Sequence, residues 1–308
     1  MRFSDYVVDY ALQVNTQSLH ALTGADQLRP RVVHGLRVNV KRLRAAWQLL
    51  NCVADDDARE IARGRLKSIH KALAPSRDFD VVAETARRLE AKATKKKLKR
   101  ALRRLADEIG QPCHGALDID GLNRGFQEES RCWRELGIAG MADDDLIAKG
   151  FGKAYRTSRR LGERARNGAP DKLLEKASDN APDNASEVLH RWRRQTKYTL
   201  YQLEVIKPVL TGPNLERRLN LSRLGDRLGK YQDLCMLEGA VRRSGLQAGD
   251  RARIDRFVAE RKTVLVARSV KLYDCLYGRK TSAFITDVRR DIDRLALNNV
   301  IMLPRKIG

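Results

Sequence analysis

The sequence predicts an all-α protein built as two related helical halves, residues 1–140 and 141–308. Three observations lead there. Ala, Leu, Arg, Lys and Glu, the strong helix formers, dominate a chain in which only 6% of residues are aromatic. Glycine and proline are mostly confined to short stretches between longer runs whose apolar residues recur at helical spacing. Finally, one motif occurs twice, 156 residues apart: His34-Gly-Leu-Arg37-Val-Asn-Val-Lys41 and His190-Arg-Trp-Arg193-Arg-Gln-Thr-Lys197 both read His-x-x-Arg-x-x-x-Lys. A second shared signal follows each copy. Leu73-Ala-Pro-Ser-Arg-Asp78-Phe corresponds to Leu228-Gly-Lys-Tyr-Gln-Asp233-Leu, which puts Asp 44 residues after His in one copy and 43 in the other.

The elements follow from the punctuation. Tyr6, Val7, Tyr10, Ala11, Val14 and Leu19 share a helical face, and that helix closes at Gly24. After Arg29-Pro30, a second helix runs from Arg31 to about Val53 and carries the first His motif. Asp55, Asp56 and Asp57 supply a cap for a third helix, which Pro75 ends. A fourth spans about 78–91 and a fifth 92–109, the latter bearing Lys92, Lys95, Lys96, Lys97, Lys99, Arg100, Arg103 and Arg104. Residues 110–125 read as a Gly/Pro-bearing break. The second half repeats the order: a helix over 143–166, a polar linker over 168–185, the His190 helix to about Ile206, helices over 215–228 and 232–244, a long basic helix over 250–277 and a final one over 282–297.

A chain of 308 residues with 42% hydrophobic content can bury a substantial core. Its formal charge of +22, from 61 basic and 39 acidic residues, penalises a compact state by self-repulsion and points to an anionic partner. Five scattered cysteines without C-x-x-C spacing argue against a metal ribbon or a disulfide framework. No segment reaches the roughly 20 apolar residues of a membrane span, and the acidic N-terminal stretch containing Asp5 and Asp9 is unlike a signal peptide. A soluble cytoplasmic protein, without membrane partner, metal or cofactor, is expected.

On a helical wheel at about 100° per residue, His34, Arg37, Lys41 and Arg44 share one narrow stripe, while Leu36, Val40, Leu43, Trp47 and Leu50 fall on an adjacent apolar one. In the second copy His190, Arg193, Lys197, Tyr201 and Glu204 form the polar stripe, with Leu189, Trp192, Leu203 and Ile206 on or beside the apolar one. Like charges at i,i+4 repel by a few tenths of a kcal/mol, roughly. A bound chain of phosphates removes that penalty. Helical turns repeat about every 5.4 Å, close to the spacing of charges along a condensed phosphate or a nucleic-acid strand. Arg supplies forked donors, Lys a compact charge, and His a charge that responds to pH near neutrality.

These segments, with Leu73 to Asp80 and Leu228-Gly229-Lys-Tyr-Gln-Asp233, resemble the CHAD family, the conserved histidine α-helical domain. The resemblance covers nearly the whole chain in four ordered motifs. It implies two pseudo-symmetric four-helix bundles enclosing a basic channel that binds inorganic polyphosphate, and association with polyphosphate granules or a polyphosphate-metabolising enzyme. Nothing in the chain resembles the CYTH-type triphosphate tunnel domain that often accompanies the family, so a stand-alone copy is expected. Carried over by position, the ligand-facing set is His34, Arg37, Lys41 and Arg44 with His190, Arg193 and Lys197. Leu200 stands where a basic residue would match Arg44, which leaves the second ladder a rung short.

Supporting cations are expected from Arg42, Arg65, Lys67, Arg156, Arg159, Arg160, Arg194, Arg223, Arg227 and Lys230, several of them ordinary surface charges. The cluster from Lys92 to Arg104 either rims the channel or forms a solvated face. Glu204 is expected to pair with Lys197 or Arg193, or to make a surface ion pair. Asp78 and Asp233 are expected to cap a helix or orient an arginine, since an anion would oppose a phosphate ligand. Two other functions compete. Binding to RNA or DNA suits the charge, but Trp47 and Trp192 lie on the apolar stripes and offer no stacking platform. A phosphohydrolase using His34 or His190 would need a carboxylate within the motif to orient the ring or hold Mg²⁺, and neither motif contains one. The expected activity is non-catalytic binding.

Overall fold

A computed structural model describes residues 2–24, 28–73, 75–109, 117–137, 142–168 and 185–297. Its helices are α1 (Phe3–Leu22), α2 (Pro30–Leu49), α3 (Asp56–Ala72), α4 (Pro75–Lys92), α5 (Lys96–Ile109), α6 (Ile119–Arg134), α7 (Asp143–Asn167), α8 (Ala185–Val205), α9 (Gly212–Arg243), α10 (Ala248–Tyr277) and α11 (Thr281–Leu297), with a 3-10 turn at Lys207–Val209. Every other regular element among the described residues is an α-helix, so the protein is all-α.

Local chemistry sets many of these boundaries. Pro30 opens α2, where its missing N–H costs nothing, and Arg29 before it is extended. Asp55 caps α3 by accepting the Ala58 N–H at 3.0 Å, as the acidic run predicts. Two elements depart most from the sequence reading, while α4 starts at Pro75 rather than about 78 and α5 at Lys96 rather than 92. Within 110–125, where the sequence predicts a break, α6 starts at Ile119, because Asp118 accepts the Gly121 N–H at 2.7 Å and so caps a helix there. In the second half, the two helices expected over 215–228 and 232–244 are one continuous α9. In the first half Pro75 forces a break between α3 and α4; the corresponding Lys230 keeps its N–H and imposes none.

Packing is by neighbours. α1 lies against α2 and α6, and α3 against α2 and α6; α7, α8, α9 and α10 form a second ring of neighbours. α2 joins the two by packing against both α7 and α8. The approach of α2 and α7 is close: a Cβ on Gly150 would lie 2.8 Å from the backbone oxygen of Leu49. One large core runs through both rings. The α4–α5 hairpin packs on α9 and α10 over a smaller core that includes Leu89, Leu98, Leu102, Leu237 and Val258. α11 covers α7, and Asp291 accepts from Thr211 at 2.6 Å and Asn214 at 2.8 Å, which fastens it to the start of α9.

A polar knot sits in the core beneath α2. Glu129 of α6 is fully buried and accepts the indole N–H groups of Trp47 at 2.7 Å and Trp133 at 2.9 Å, and the Arg65 guanidinium at 2.8 Å. The two indoles stand 4.3 Å apart, centroid to centroid. Burial raises the Glu129 pKa, against the opposing effect of the three donors.

Trp47→Ala removes a large core side chain and one of these donors, and should cost about 3–5 kcal/mol in denaturant unfolding. Because the folded-state pKa of Glu129 is raised, the native state holds a proton that the unfolded chain has released. Stability is therefore lost as pH rises from the ordinary carboxyl range through the raised value. Glu129→Gln should abolish this slope, so the native protein's advantage over the variant should shrink with rising pH in that window; unfolding curves measured at several pH values check it.

Candidate functional site

The two motif helices, α2 and α8, lie against each other. Their apolar stripes are buried as the wheel requires: Leu36, Val40, Leu43, Trp47 and Leu50 on one, Leu189, Trp192, Leu203 and Ile206 on the other. Beside these stripes His34 and His190 are exposed, and Lys41, Arg42, Arg44, Arg193 and Lys197 are half-buried. Leu200, in the place of a missing cation, is itself a core residue.

Arginines of both helices act electrostatically on the same buried phenol. Burial raises the pKa of the Tyr201 phenol, and Arg42 of α2 and Arg193 of α8 both act against that rise. The hydroxyl of Tyr10, from α1, is pushed up to about 12 by burial; Arg42 again opposes, while Glu204 and Tyr201 add to it. Arg44 donates to the Leu66 carbonyl at 2.9 Å, and burial lowers its pKa while the neighbouring Tyr198 of α8 favours its charge.

The α8 ladder rests on a floor of glycines. A Cβ on Gly225 would lie 2.6 Å from Cε of Lys197, and one on Gly229 would lie 3.4 Å from Nε of Arg193. Residues four apart on α8 thus sit over residues four apart on α9, with no β-carbon between the helix and the cations. Lys197 Nζ pairs with Asp226 at 3.2 Å, and Arg218 Nε with Glu204 at 2.6 Å. Glu204 therefore takes Arg218 rather than Lys197 or Arg193 in the ion pairs described.

Other expected site residues are dispersed. Arg37 is buried and donates to the Leu73 carbonyl at 2.7 Å, tying α2 to the end of α3. Arg42 donates to Asn39 at 3.1 Å. Arg65 turns away from the seam, into the Glu129 knot and toward Glu128 at 3.4 Å, so the structure gives it a structural carboxylate as partner. Lys67, Arg156, Arg160, Arg194, Arg223 and Lys230 are exposed. Arg156 folds over Gly152, and Arg159 acts on Tyr155, which Arg217 also faces. Arg223 donates to Asn220 at 3.1 Å, and Arg227 to the Arg268 carbonyl of α10. Asp233 pairs with Arg88 of α4 at 3.7 Å, the arginine-orienting role expected of it. The side chain of Asp78 lies outside the described residues.

Sequence reasoning overlooked Gly225, Asp226, Tyr10 and Tyr198. A signal for the first was present: Gly225 and Gly229 are four apart inside an apolar-periodic run, a spacing that marks close approach by another chain segment. Among the described residues no cluster of three His, Cys, Asp or Glu side chains is placed to hold a metal, and no helix is long and apolar enough to cross a membrane.

The fold is thus an all-α module in which the two motif helices pack directly against each other. A family model, the CHAD domain, matches residues 13–242. The chain belongs to the CHAD family. Among solved structures it is similar to PptA from Streptomyces chartreusis, with a TM-score of 0.65 and 16% identity over 91% of this chain and 100% of that one. The CHAD domain from the plant Ricinus communis is also similar, with a TM-score of 0.51 and 15% identity over 94% of this chain and 92% of that one. No curated protein matches it in sequence.

Gly225→Ala gains about 1 kcal/mol of helix propensity and displaces only the flexible end of Lys197, so its unfolding free energy should stay within about 1 kcal/mol of the native value. Gly162→Ala, whose Cβ would stand 2.6 Å from Tyr273 and 2.8 Å from Trp192, should lose about 1–3 kcal/mol by overpacking. Thermal melting of the two variants distinguishes a floor beneath a mobile cation from a packed core contact.

Proposed function

We propose that the protein binds inorganic polyphosphate without transforming it, along the seam between α2 and α8. The observation that carries this reading is the direct packing of the two motif helices, which brings together two segments 156 residues apart in sequence that each carry His, Arg and Lys. Family membership and the fold shared with PptA support it. His34, Lys41, Arg42 and Arg44 from α2, and His190, Arg193, Arg194 and Lys197 from α8, form the lining of the proposed basic channel, with Arg223 and Lys230 alongside on α9. Arg37 acts chiefly by holding α2 to Leu73.

Asp226 and Glu204 compensate part of this charge in the absence of ligand. A phosphate chain exchanges with these carboxylates and with counterions, which makes affinity fall with salt. The two halves of the chain serve as repeats of one binding unit, and residence in the cytoplasm, on polyphosphate granules or beside a polyphosphate-metabolising enzyme, completes the reading.

Long-chain polyphosphate should bind far more tightly than orthophosphate, and should not be displaced by modest single-stranded RNA; equal affinity for polymer and monomer would sink the proposal. The variant Lys41→Gln/Arg193→Gln/Lys197→Gln should lose at least about tenfold in affinity, since a single hydrogen bond to a charged group is worth roughly 1.5–3 kcal/mol. Its helical circular dichroism should stay native, because none of the three side chains is in the core. Asp226→Asn should bind several-fold more tightly in the same calorimetric titration.

A further inference from the structure

Outside the seam, the most concentrated charge on the molecule lies on α5. From Lys92 to Ala106 the sequence contains no acid, and eight of its residues are Lys or Arg. On a wheel at about 100° per residue, Lys96, Lys97, Lys99, Arg100, Arg103 and Arg104 cover one continuous face, all exposed. The opposite face, Leu98, Ala101, Leu102, Leu105 and Ala106, is buried in the small core against α9 and α10. Arg103 pairs with Glu90 at 2.7 Å and Arg104 with Asp250 at 3.2 Å. Among the described residues Lys96, Lys97, Lys99 and Arg100 form no ion pair. Such a face destabilises its own helix by i,i+4 repulsion, and nothing within the described molecule offsets the four uncompensated charges.

The chemistry of the face narrows its partner. Insertion into a lipid surface needs an apolar stripe to bury, and the apolar stripe of α5 is already consumed by packing. Sequence-tolerant binding of single-stranded nucleic acid uses aromatic platforms, and α5 contains no aromatic residue. The closely spaced cations suit recognition of repeated phosphate charge. The face is also linked to the seam. Arg193 lies over Gly229, the next residue, Lys230, is exposed, and Asp233, about 6 Å further along α9 at 1.5 Å per residue, pairs with Arg88 of α4. Lys92 stands one turn beyond Arg88 and leads into α5. Lys230 on α9 and Arg88 and Lys92 on α4 therefore lie between the α8 ladder and α5, with Arg88 paired to Asp233.

We infer that the exposed face of α5 is a second, outer site for the same phosphate polymer, which engages chains that extend beyond the seam. This rests on the polyphosphate reading above and adds to it a mechanism for length selection. Once one stretch of a chain occupies the seam, α5 meets the remainder at high effective concentration, and avidity follows for long chains alone. Long-range steering by the same charges would instead raise the on-rate for every anion regardless of length.

The test uses the full chain and the variant Lys96→Gln/Lys97→Gln/Lys99→Gln/Arg100→Gln, in which every replaced side chain is exposed and Gln preserves helix propensity. Binding of tripolyphosphate, long-chain polyphosphate and a single-stranded RNA of matched charge is titrated at several salt concentrations. The expected result is tripolyphosphate affinity unchanged within about twofold, and long-chain affinity lowered about tenfold or more. The long-chain plot of log K against log salt should become shallower by about three, from roughly 0.7 per phosphate neutralised on a single chain. Unchanged long-chain affinity, or an equal loss for both lengths, overturns the outer site while leaving the seam in place. A loss confined to RNA makes α5 a nucleic-acid surface and overturns it too. If the native protein binds neither polyphosphate, the seam reading falls with it.

Discussion

Everything about this molecule depends on holding two cationic helices against each other. α2 and α8 each carry like charges on successive turns, and the repulsion amounts to a few tenths of a kcal/mol, roughly, for each i,i+4 pair. Against that stands the burial of Leu36, Val40, Leu43 and Trp47 on one helix and Leu189, Trp192, Leu203 and Ile206 on the other. Each such side chain contributes about 1.5–3 kcal/mol when removed from water. The apolar stripes win by a wide margin, and the charges beside them are carried into proximity by a core that does not involve them. This separation leaves the charge beside the stripes free to vary without loss of the core that sets stability.

The two ladders are mounted differently. On α2 the arginines are tied to backbone carbonyls of α3, Arg37 to Leu73 and Arg44 to Leu66, so their guanidiniums are held by the fold itself. On α8 the cations lie over glycines of α9 and pair with a carboxylate that is mostly exposed, Asp226. An exposed pair of this sort is worth at most about 1 kcal/mol, so Lys197 can exchange Asp226 for another anion at little cost. Leu200, which replaces a fourth rung by a core contact, adds to the contrast. The α2 side is the more rigid half of the seam and the α8 side the more adaptable one.

Much of this was legible in the sequence. The wheel placed the apolar stripes of both motif helices in the core because a helix fixes angular position by residue number alone, but Arg37 and Tyr201 of the polar stripes are buried too, through contacts with other elements that the wheel does not contain. Asp55 announced the cap of α3, and the acid-free run on α5 announced an exposed face. What the sequence left hidden are contacts between elements. Arg65 and Lys67 look alike in composition, yet Arg65 is drawn to Glu129, a fully buried acidic side chain 64 residues away. α6 was hidden because its Asp118 cap lies inside a stretch whose glycines and proline signal a break. The continuity of α9 escaped notice for the opposite reason: the Leu73 motif contains a proline, and its counterpart at Leu228 does not.

That continuity has a mechanical consequence. An unbroken helix from Gly212 to Arg243 is about 48 Å long at 1.5 Å per residue. Its early turns are fastened by Asp291 of α11, its middle forms the glycine floor under Arg193 and Lys197, and its later turns carry the α4–α5 hairpin through Asp233 and the small core. One rigid rod thus fixes the distance between seam and hairpin. A proline at position 230, as in the first half, would break that rod between the floor and the hairpin and leave the two cationic surfaces free to move apart. A polymer bridging both surfaces gains most when the span is fixed in advance, because no orientational freedom is lost on the second engagement. In the first half the break after α3 serves a different end, freeing the Leu73 carbonyl to accept Arg37. The same signal, used once with a proline and once without, thus yields an anchor for one ladder and a spine for the other.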